Sequence, residues 1–308
     1  MAFRTLEISQ PSELHVKQGQ LTVSYEDGTV NIPLEDLSHI TCIGPDIRIS
    51  TMALTQLATH GVGLVTLDKD YHPAASLTPC ATNSRQSEAM HQQVALSAKH
   101  TAKLWRAIIA QKVANQARAL AILGRPGTEE VTKIAGDLST EAGSLTLEEI
   151  TLIEAHAAKT YFSYLSHSLN RRSIDPLNSR LNYGYAIVRS AISRAVLATG
   201  LHPTFGLNHN NQFNAFNLVD DLIEPWRAMV DVTAVTMEGT SIRLTHPERA
   251  QLAQVLHNGC ILDGSKQTTL TAIQLSAESL KRIIVEQSDE ALLLPTILPP
   301  EPYGGVRS

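Results

Sequence analysis

Near Ser84 the apolar residues of this chain change period, and that change fixes what it can fold into. Before it, short runs alternate apolar and polar residues over 5–8, 13–17, 20–25 and 29–32. Lys17-Gln18-Gly19-Gln20 and Glu26-Asp27-Gly28-Thr29 supply tight turns between them, so the runs predict β-hairpins. Pro33 to Asp36 interrupts the pattern, residues 39–43 predict a further strand, and 61–67 is an apolar run suited to a buried strand. Between these two, Ser50 is placed to cap a short helix running to Thr59. After Ser84 the recurrence becomes helical. Residues 102–123 predict one long amphipathic helix closed by Gly124 and Pro126. Further helices are expected over 147–167, 181–199 with Gly200 as C-cap, 218–235, 247–257 and 271–286. Pro225 requires a start, kink or break in the helix expected over 218–235. Ile261-Leu262-Asp263-Gly264 suggests a small turn between short strands.

The expected fold is therefore α+β: a small N-terminal β-rich domain followed by a larger all-α helical domain. We assign 1–70 to the β-rich domain, 71–83 to a linker, 84–294 to the helical domain and 295–308 to a flexible, proline-rich tail. With 43% apolar residues in 308, the chain has ample material for a core. No apolar run approaches the roughly 20 residues that span a bilayer, and MAFRTLEISQ is not a secretory signal. A cytoplasmic protein without a membrane partner is expected. Cys42, Cys80 and Cys260 are far apart and form no CxxC pair, which favours buried thiols over a structural zinc site.

The densest chemistry lies between Leu181 and Asp231. There an apolar helical pattern leads into a polar loop holding His209, and a second helical pattern carries Asp220, Asp221 and Glu224. Acids gathered at an apolar boundary repel one another and resist desolvation, and a divalent cation resolves both problems. Asp221 and Glu224, three apart, project to nearly the same helix face, whereas Asp220 points elsewhere and reads as a cap or surface acid. Glu154 lies in LIEAHAAKTYF, among alanines that permit close helix packing. One imidazole with carboxylates is a mixed N/O set suited to Mg2+ or Mn2+. The same residues also fit a surface loop and helix N-terminal acids, so spacing alone leaves both open. The net charge of −5 argues weakly against a nucleic-acid partner, but residues 151–200 are locally basic. Lys159, Arg171, Arg172, Arg180, Arg189 and Arg194 are opposed there only by Glu154 and Asp175.

The ordered set of segments resembles the CRISPR-associated integrase and endonuclease family, the "Cas one" proteins of adaptation, in the form found in type II systems. The similarity runs from FRTLEISQPSELHVKQGQL through IPLEDLSHITCIGPDIRISTMALTQLATHGVGLVTLD, SRQSEAMHQQVALS and LWRAIIAQKVANQARAL. It is strongest in EAHAAKTYF and from LNYGYA to EPWRAMVD. The resemblance implies metal ligands and catalytic residues Glu154, His209 and Glu224, with Asp221 as an alternate third ligand. The family's Gly-Asp-Pro turn before the glutamate is missing here, which makes Glu148 and Glu149 rival acids. The resemblance also implies insertion of foreign DNA as spacers by metal-assisted 3′-hydroxyl transesterification, a homodimer, a small "Cas two" subunit, and double-stranded and 3′-overhang DNA as substrates. The type II RNA-guided effector nuclease is a further implied partner. The six basic residues are candidates for backbone contact, and Tyr161 and Tyr183 either flank the DNA 3′ end or belong to the core. Two other functions compete: a metal-dependent nuclease on branched or damaged DNA, and a non-catalytic DNA-binding scaffold.

Overall fold

The computed structural model describes residues 4–44, 46–67, 73–77, 86–140, 145–166, 173–239 and 241–301. Its contacts divide into two units, Met1–Ser84 and Arg85–Ser308.

The first unit follows the alternating pattern. Its strands are β1 (Arg4–Ile8), β2 (Ser12–Lys17), β3 (Gln20–Tyr25), β4 (Gly28–Pro33), β5 (Leu37–Cys42) and β6 (Ile47–Ile49). Helix α1 (Thr51–Thr59), β7 (Gly63–Leu67) and β8 (Pro73–Ser76) complete it. One sheet has the order β1-β5-β7-β8 and the other β4-β3-β2-β6. The β2–β3 turn places Gln18 and Gly19 at φ 51° and 73°, a pair of left-handed residues whose twist matches that of the strands they join. Leu14, Leu21, Leu34, Ile40 and Leu57, each under 2% exposed, close one core. Ser50 caps α1 as expected, accepting from Ala53 N at 3.2 Å. The strand Pro73–Ser76 corrects the assignment of 71–83 to a linker. It pairs antiparallel with β7 at the sheet edge, where a proline at the first position costs no ladder bond.

The second unit contains α2 (Gln86–Val94), α3 (Ala98–Ile122), α4 (Thr128–Thr140), α5 (Leu147–Leu165), α6 (Pro176–Thr199) and α7 (Asn217–Leu222). After a 3-10 turn at Glu224–Trp226 come α8 (Arg227–Thr236), α9 (His246–Ala253), β9 (Gly259–Leu262), β10 (Ser265–Thr268), α10 (Thr269–Val285) and β11 (Thr296–Ile297). The break at Pro225 is thus a single 3-10 turn between two helices. α3 starts earlier than its pattern because Ser97 caps it, and α6 because Asp175 accepts from Asn178 N at 2.9 Å with Pro176 in the first turn. α3 is the axial helix, burying Trp105, Ile108, Ile109, Val113 and Leu120 against α4, α5, α8 and the 3-10 turn.

Two expectations need correction here. The unit is not all-α: β9 pairs with both β10 and β11, and Asp263 and Gly264, at φ 48° and 72°, form the β9–β10 turn. Nor is the start of the tail loose. Buried Asn115 on α3 donates to Pro295 O at 2.8 Å and accepts from Ile297 N at 3.3 Å. Its amide supplies the partners that the neighbouring prolines cannot, and Ile297 is fully buried. Residues 302–308, most of 71–83, Arg171, Arg172 and Cys80 lie outside the described residues. Cys42 and Cys260 are buried free thiols, as expected. Among the described residues no helix is long and apolar enough to cross a membrane.

Candidate metal and catalytic site

Three separate elements carry the predicted residues: α5 carries Glu154, the loop after α6 carries His209, and the 3-10 turn carries Glu224. A fourth residue, Lys112 on the buried face of α3, has no part in the sequence-based expectation. Its Nζ lies 2.5 Å from Glu154 Oε1 and 2.6 Å from Glu224 Oε2. The other Glu224 oxygen accepts from Arg227 Nε at 2.9 Å. Glu224 is 5% exposed and Lys112 8%. Burial alone would raise the Glu224 pKa; Arg227 and Lys112 overcome it and bring the carboxyl down to about 2. Burial would likewise lower the Lys112 pKa, and Glu224 and Glu154 reverse that and leave it above its ordinary value.

A group with a depressed folded-state pKa stabilises the fold above its ordinary pKa and loses that contribution as pH falls. Glu224 therefore predicts loss of thermal stability as pH drops from its ordinary 4.5 towards about 2. Melting curves across that window check this, and Glu224→Gln should flatten the dependence.

Asp221 takes a different job from the one left open for it. It is 0% exposed, and its two oxygens accept four bonds. Oδ2 receives Leu207 N at 2.5 Å and Asn208 N at 3.2 Å; Oδ1 receives His209 N at 3.1 Å and the His209 ring Nδ1 at 2.7 Å. A carboxylate so filled has no lone pair left for a metal, which corrects its reading as an alternate ligand. It fixes the imidazole instead. With the Nδ1 proton held by Asp221, Nε2 carries the lone pair of the neutral ring. The Trp105 ring packs edge-on against His209 at 5.9 Å between centroids. Gly206 permits this loop: a Cβ there would lie 2.2 Å from His209 O. The hydrogen bond to Asp221, opposed by partial desolvation, raises the His209 pKa.

Several other readings resolve. Glu149 is spent in a capping box with Thr146, and Glu148 is exposed in the first turn of α5, so Glu154 is the glutamate of that helix that reaches the site. Asp220 is neither a free surface acid nor a cap. It binds Arg189 Nε at 2.6 Å, and Arg189 in turn lies 4.7 Å above the Phe216 ring. Arg180 is 5% exposed and bound to Met237 O, Gly239 O and Glu248. Both arginines are engaged by partners within the fold. Lys159 is exposed on α5 and Arg194 is half-buried. Tyr161 and Tyr183 are fully buried and belong to the core. Tyr161 OH donates to Asp231 Oδ2 at 2.8 Å, tying Glu154's helix to the one that follows Glu224, and Tyr185 OH donates to the other oxygen.

The donor set can be judged against a divalent ion. Glu224 Oε2 faces the Lys112 ammonium off the direction of a well-formed hydrogen bond and has no hydrogen-bond partner among the described residues. Glu154 and Glu224 already share one cation, and Glu224 also acts electrostatically on the His209 ring. Two carboxylates and one imidazole fit Mg2+ or Mn2+. Among the described residues no three acidic, histidine or cysteine side chains are drawn around a common point; the two glutamates meet at the Lys112 ammonium instead.

The family described as "CRISPR associated protein Cas1" matches residues 6–272. The chain belongs to the Cas1 family. A CRISPR-associated endonuclease Cas1 from Neisseria meningitidis is 30% identical over 98% of this chain and 99% of its own length. A second Cas1 endonuclease, from Pyrobaculum aerophilum, is 28% identical over 80% of this chain and 87% of its own. Among solved structures, a casposase bound to integration product superposes with a TM-score of 0.77 at 17% identity, over 94% of this chain and 92% of that one. A Cas1 protein from Thermotoga maritima gives 0.73 at 15% identity, over 92% and 97%. At those identities the structures establish the shared fold, the strand-rich N-terminal and helical C-terminal regions of Cas1. The family places the chain among CRISPR-associated endonucleases and integrases.

Proposed function

We propose that this Cas1-family protein is a divalent-metal-dependent DNA integrase that inserts foreign DNA as spacers into a CRISPR array. The observation that carries the reading is the convergence of Glu154 and Glu224 on one cation. Glu154, His209 and Glu224 would hold Mg2+ or Mn2+, which supplies charge stabilisation at the phosphate and lowers the pKa of the attacking hydroxyl.

The chain's own residues set the geometry. Asp221 holds the His209 tautomer, Arg227 orients Glu224, and the Tyr161–Asp231 bond fixes Glu154's helix relative to α8. In the reaction a prespacer 3′-hydroxyl attacks a phosphodiester at the edge of the repeat. One P–O bond forms as another breaks and the departing 3′-oxygen takes a proton. The number of phosphodiesters is unchanged, so no external energy source or covalent enzyme intermediate is required.

The substrate is double-stranded DNA with 3′ overhangs. Lys159, Arg194, Arg171 and Arg172 are the remaining candidates for backbone contact. A homodimer bridged by a small Cas2 subunit is the acting assembly, in a type II system with its effector nuclease. A Cas1–DNA complex and a Cas6-RT-Cas1–Cas2 complex among the structural neighbours support DNA and Cas2 as partners. Cutting by the same centre, with water as nucleophile on branched or damaged DNA, is the second reading. It is favoured by the endonuclease name of the Neisseria relative.

Half-site integration into a repeat-containing plasmid, with the small subunit present, tests the choice. Wild type should join the 3′ end, and Glu154→Gln should lose at least about 100-fold of that activity. Cutting without joining sinks the integrase reading. Unchanged joining in Glu154→Gln sinks the catalytic role of this centre.

A further inference from the structure

Lys112 has no part in the reaction just described, yet it occupies the centre of the site. It projects from the buried face of α3, between Ile108, Ile109 and Val113, where an unpaired ammonium would be strongly disfavoured. Its partners come from two other elements: Glu154 from α5 at 2.5 Å and Glu224 from the 3-10 turn at 2.6 Å. Those two oxygens can be no farther apart than the sum of the contacts, a spacing that like charges tolerate only with a cation between them.

We propose that Lys112 is a built-in counter-ion. It holds the cation position between Glu154 and Glu224 while the protein is metal-free, and it must swing out before a divalent ion enters. The proposal rests on the metal-site reading above. A divalent ion held by Glu154 and Glu224 would compete with the Lys112 ammonium for the same pair of carboxylates. Two cations so close in a buried setting repel far more than they would in water. Occupancy is therefore exclusive.

The geometry suits an exchange. A lysine is a point charge on a flexible stem, free to rotate away, whereas an arginine would lock both carboxylates with its planar fork. Arg227 stays on Glu224 Oε1 throughout, so that carboxylate keeps its orientation when its other oxygen changes partner. Asp221 likewise holds His209 independently of Lys112. The site is thus kept assembled without metal, at the cost of affinity for it.

Mn2+ binding to the full-length protein, followed by calorimetry and by the paramagnetic signal of free Mn2+, tests this without reference to activity. Lys112→Gln is expected to bind Mn2+ about tenfold tighter or more. It should also melt lower than wild type without metal and gain more from Mn2+. Lys112→Arg should bind no tighter than wild type. A folded Lys112→Gln with equal or weaker Mn2+ affinity overturns the proposal. Should that variant fail to fold, wild type decides: acylation of Lys112 by an amine-reactive probe, read by peptide mass spectrometry, should be blocked without metal and rise with Mn2+. Labelling indifferent to Mn2+ overturns it. The metal reading has its own control, because Glu154→Gln and His209→Ala must both weaken Mn2+ binding. If neither does, that reading falls, and the role of Lys112 falls with it.

Discussion

Glu224→Ala is expected to remove strand transfer and cleavage together and to cost the helical unit about 3–5 kcal/mol. The size follows from what the side chain leaves behind. Arg227 Nε at 2.9 Å and Lys112 Nζ at 2.6 Å both face a carboxylate that is 5% exposed. Deleting it leaves two neighbouring cations that repel each other, the buried Lys112 with only Glu154 to answer it and Arg227, 32% exposed, without its carboxylate. An exposed ion pair would cost less than about 1 kcal/mol, so denaturant melts separate the two cases directly. The double variant Glu224→Ala/Lys112→Met sharpens the test. Removing one stranded cation should restore part of the stability, because contacting residues are not additive. It should restore none of the activity, because the carboxylate is still missing. Recovery of both would mean that Glu224 only neutralises its neighbours. A stability loss below about 1 kcal/mol would mean that water screens the cluster.

The part of this site written in the sequence is the part that follows helical or turn chemistry. Glu154 and Glu224 are marked by their segments, and the Pro225 break is legible because proline cannot continue an α-helix. Thr146 and Glu149 form a capping box that removes one rival glutamate, and that signal was present in TLEE ahead of the helix. Lys112 was legible too, as a lysine in the apolar stripe Trp105, Ile108, Ile109, Val113 of LWRAIIAQKVANQARAL. A charge on a buried face needs a partner, and its partners lie 42 and 112 positions later in the chain, beyond the reach of local pattern. The same distance hid the pairing of β11 with β9 and the hold of Asn115 on the tail. Arg180 and Arg189 enter the candidates for DNA-backbone contact for a related reason. Composition counts guanidinium groups, but only the fold shows that Glu248 and Asp220 already hold them.

Asp221→Ala should be nearly as damaging as the loss of Glu224, although Asp221 touches neither glutamate in its pattern of four accepted bonds. Its removal leaves the amides of Leu207, Asn208 and His209 without their acceptor. The carboxylate bonds are charge-assisted, so a stability loss of about 3–5 kcal/mol is expected, reduced by whatever water reaches the outer two amides. The functional loss has a separate origin. Without Asp221 the ring of His209 is free to turn and to carry its proton on either nitrogen. Loss of such an orienting carboxylate lowers metal affinity by roughly 10–100-fold. Asp221→Asn keeps the shape but turns an NH2 group towards backbone N–H donors, so it should recover little. Asp220→Ala, one residue away, is the contrast. It releases the part-exposed Arg189 pair and the Asn214 amide, should cost about 1 kcal/mol, less than Asp221→Ala, and should leave Mn2+ affinity unchanged. Melting curves and Mn2+ titrations of the three variants decide the matter. Equal behaviour of Asp220→Ala and Asp221→Ala would remove the distinction drawn between the two acids. Mn2+ binding lost entirely in Asp221→Asn, with the His209 ring still in place in a crystal structure, would return Asp221 to the ligand set.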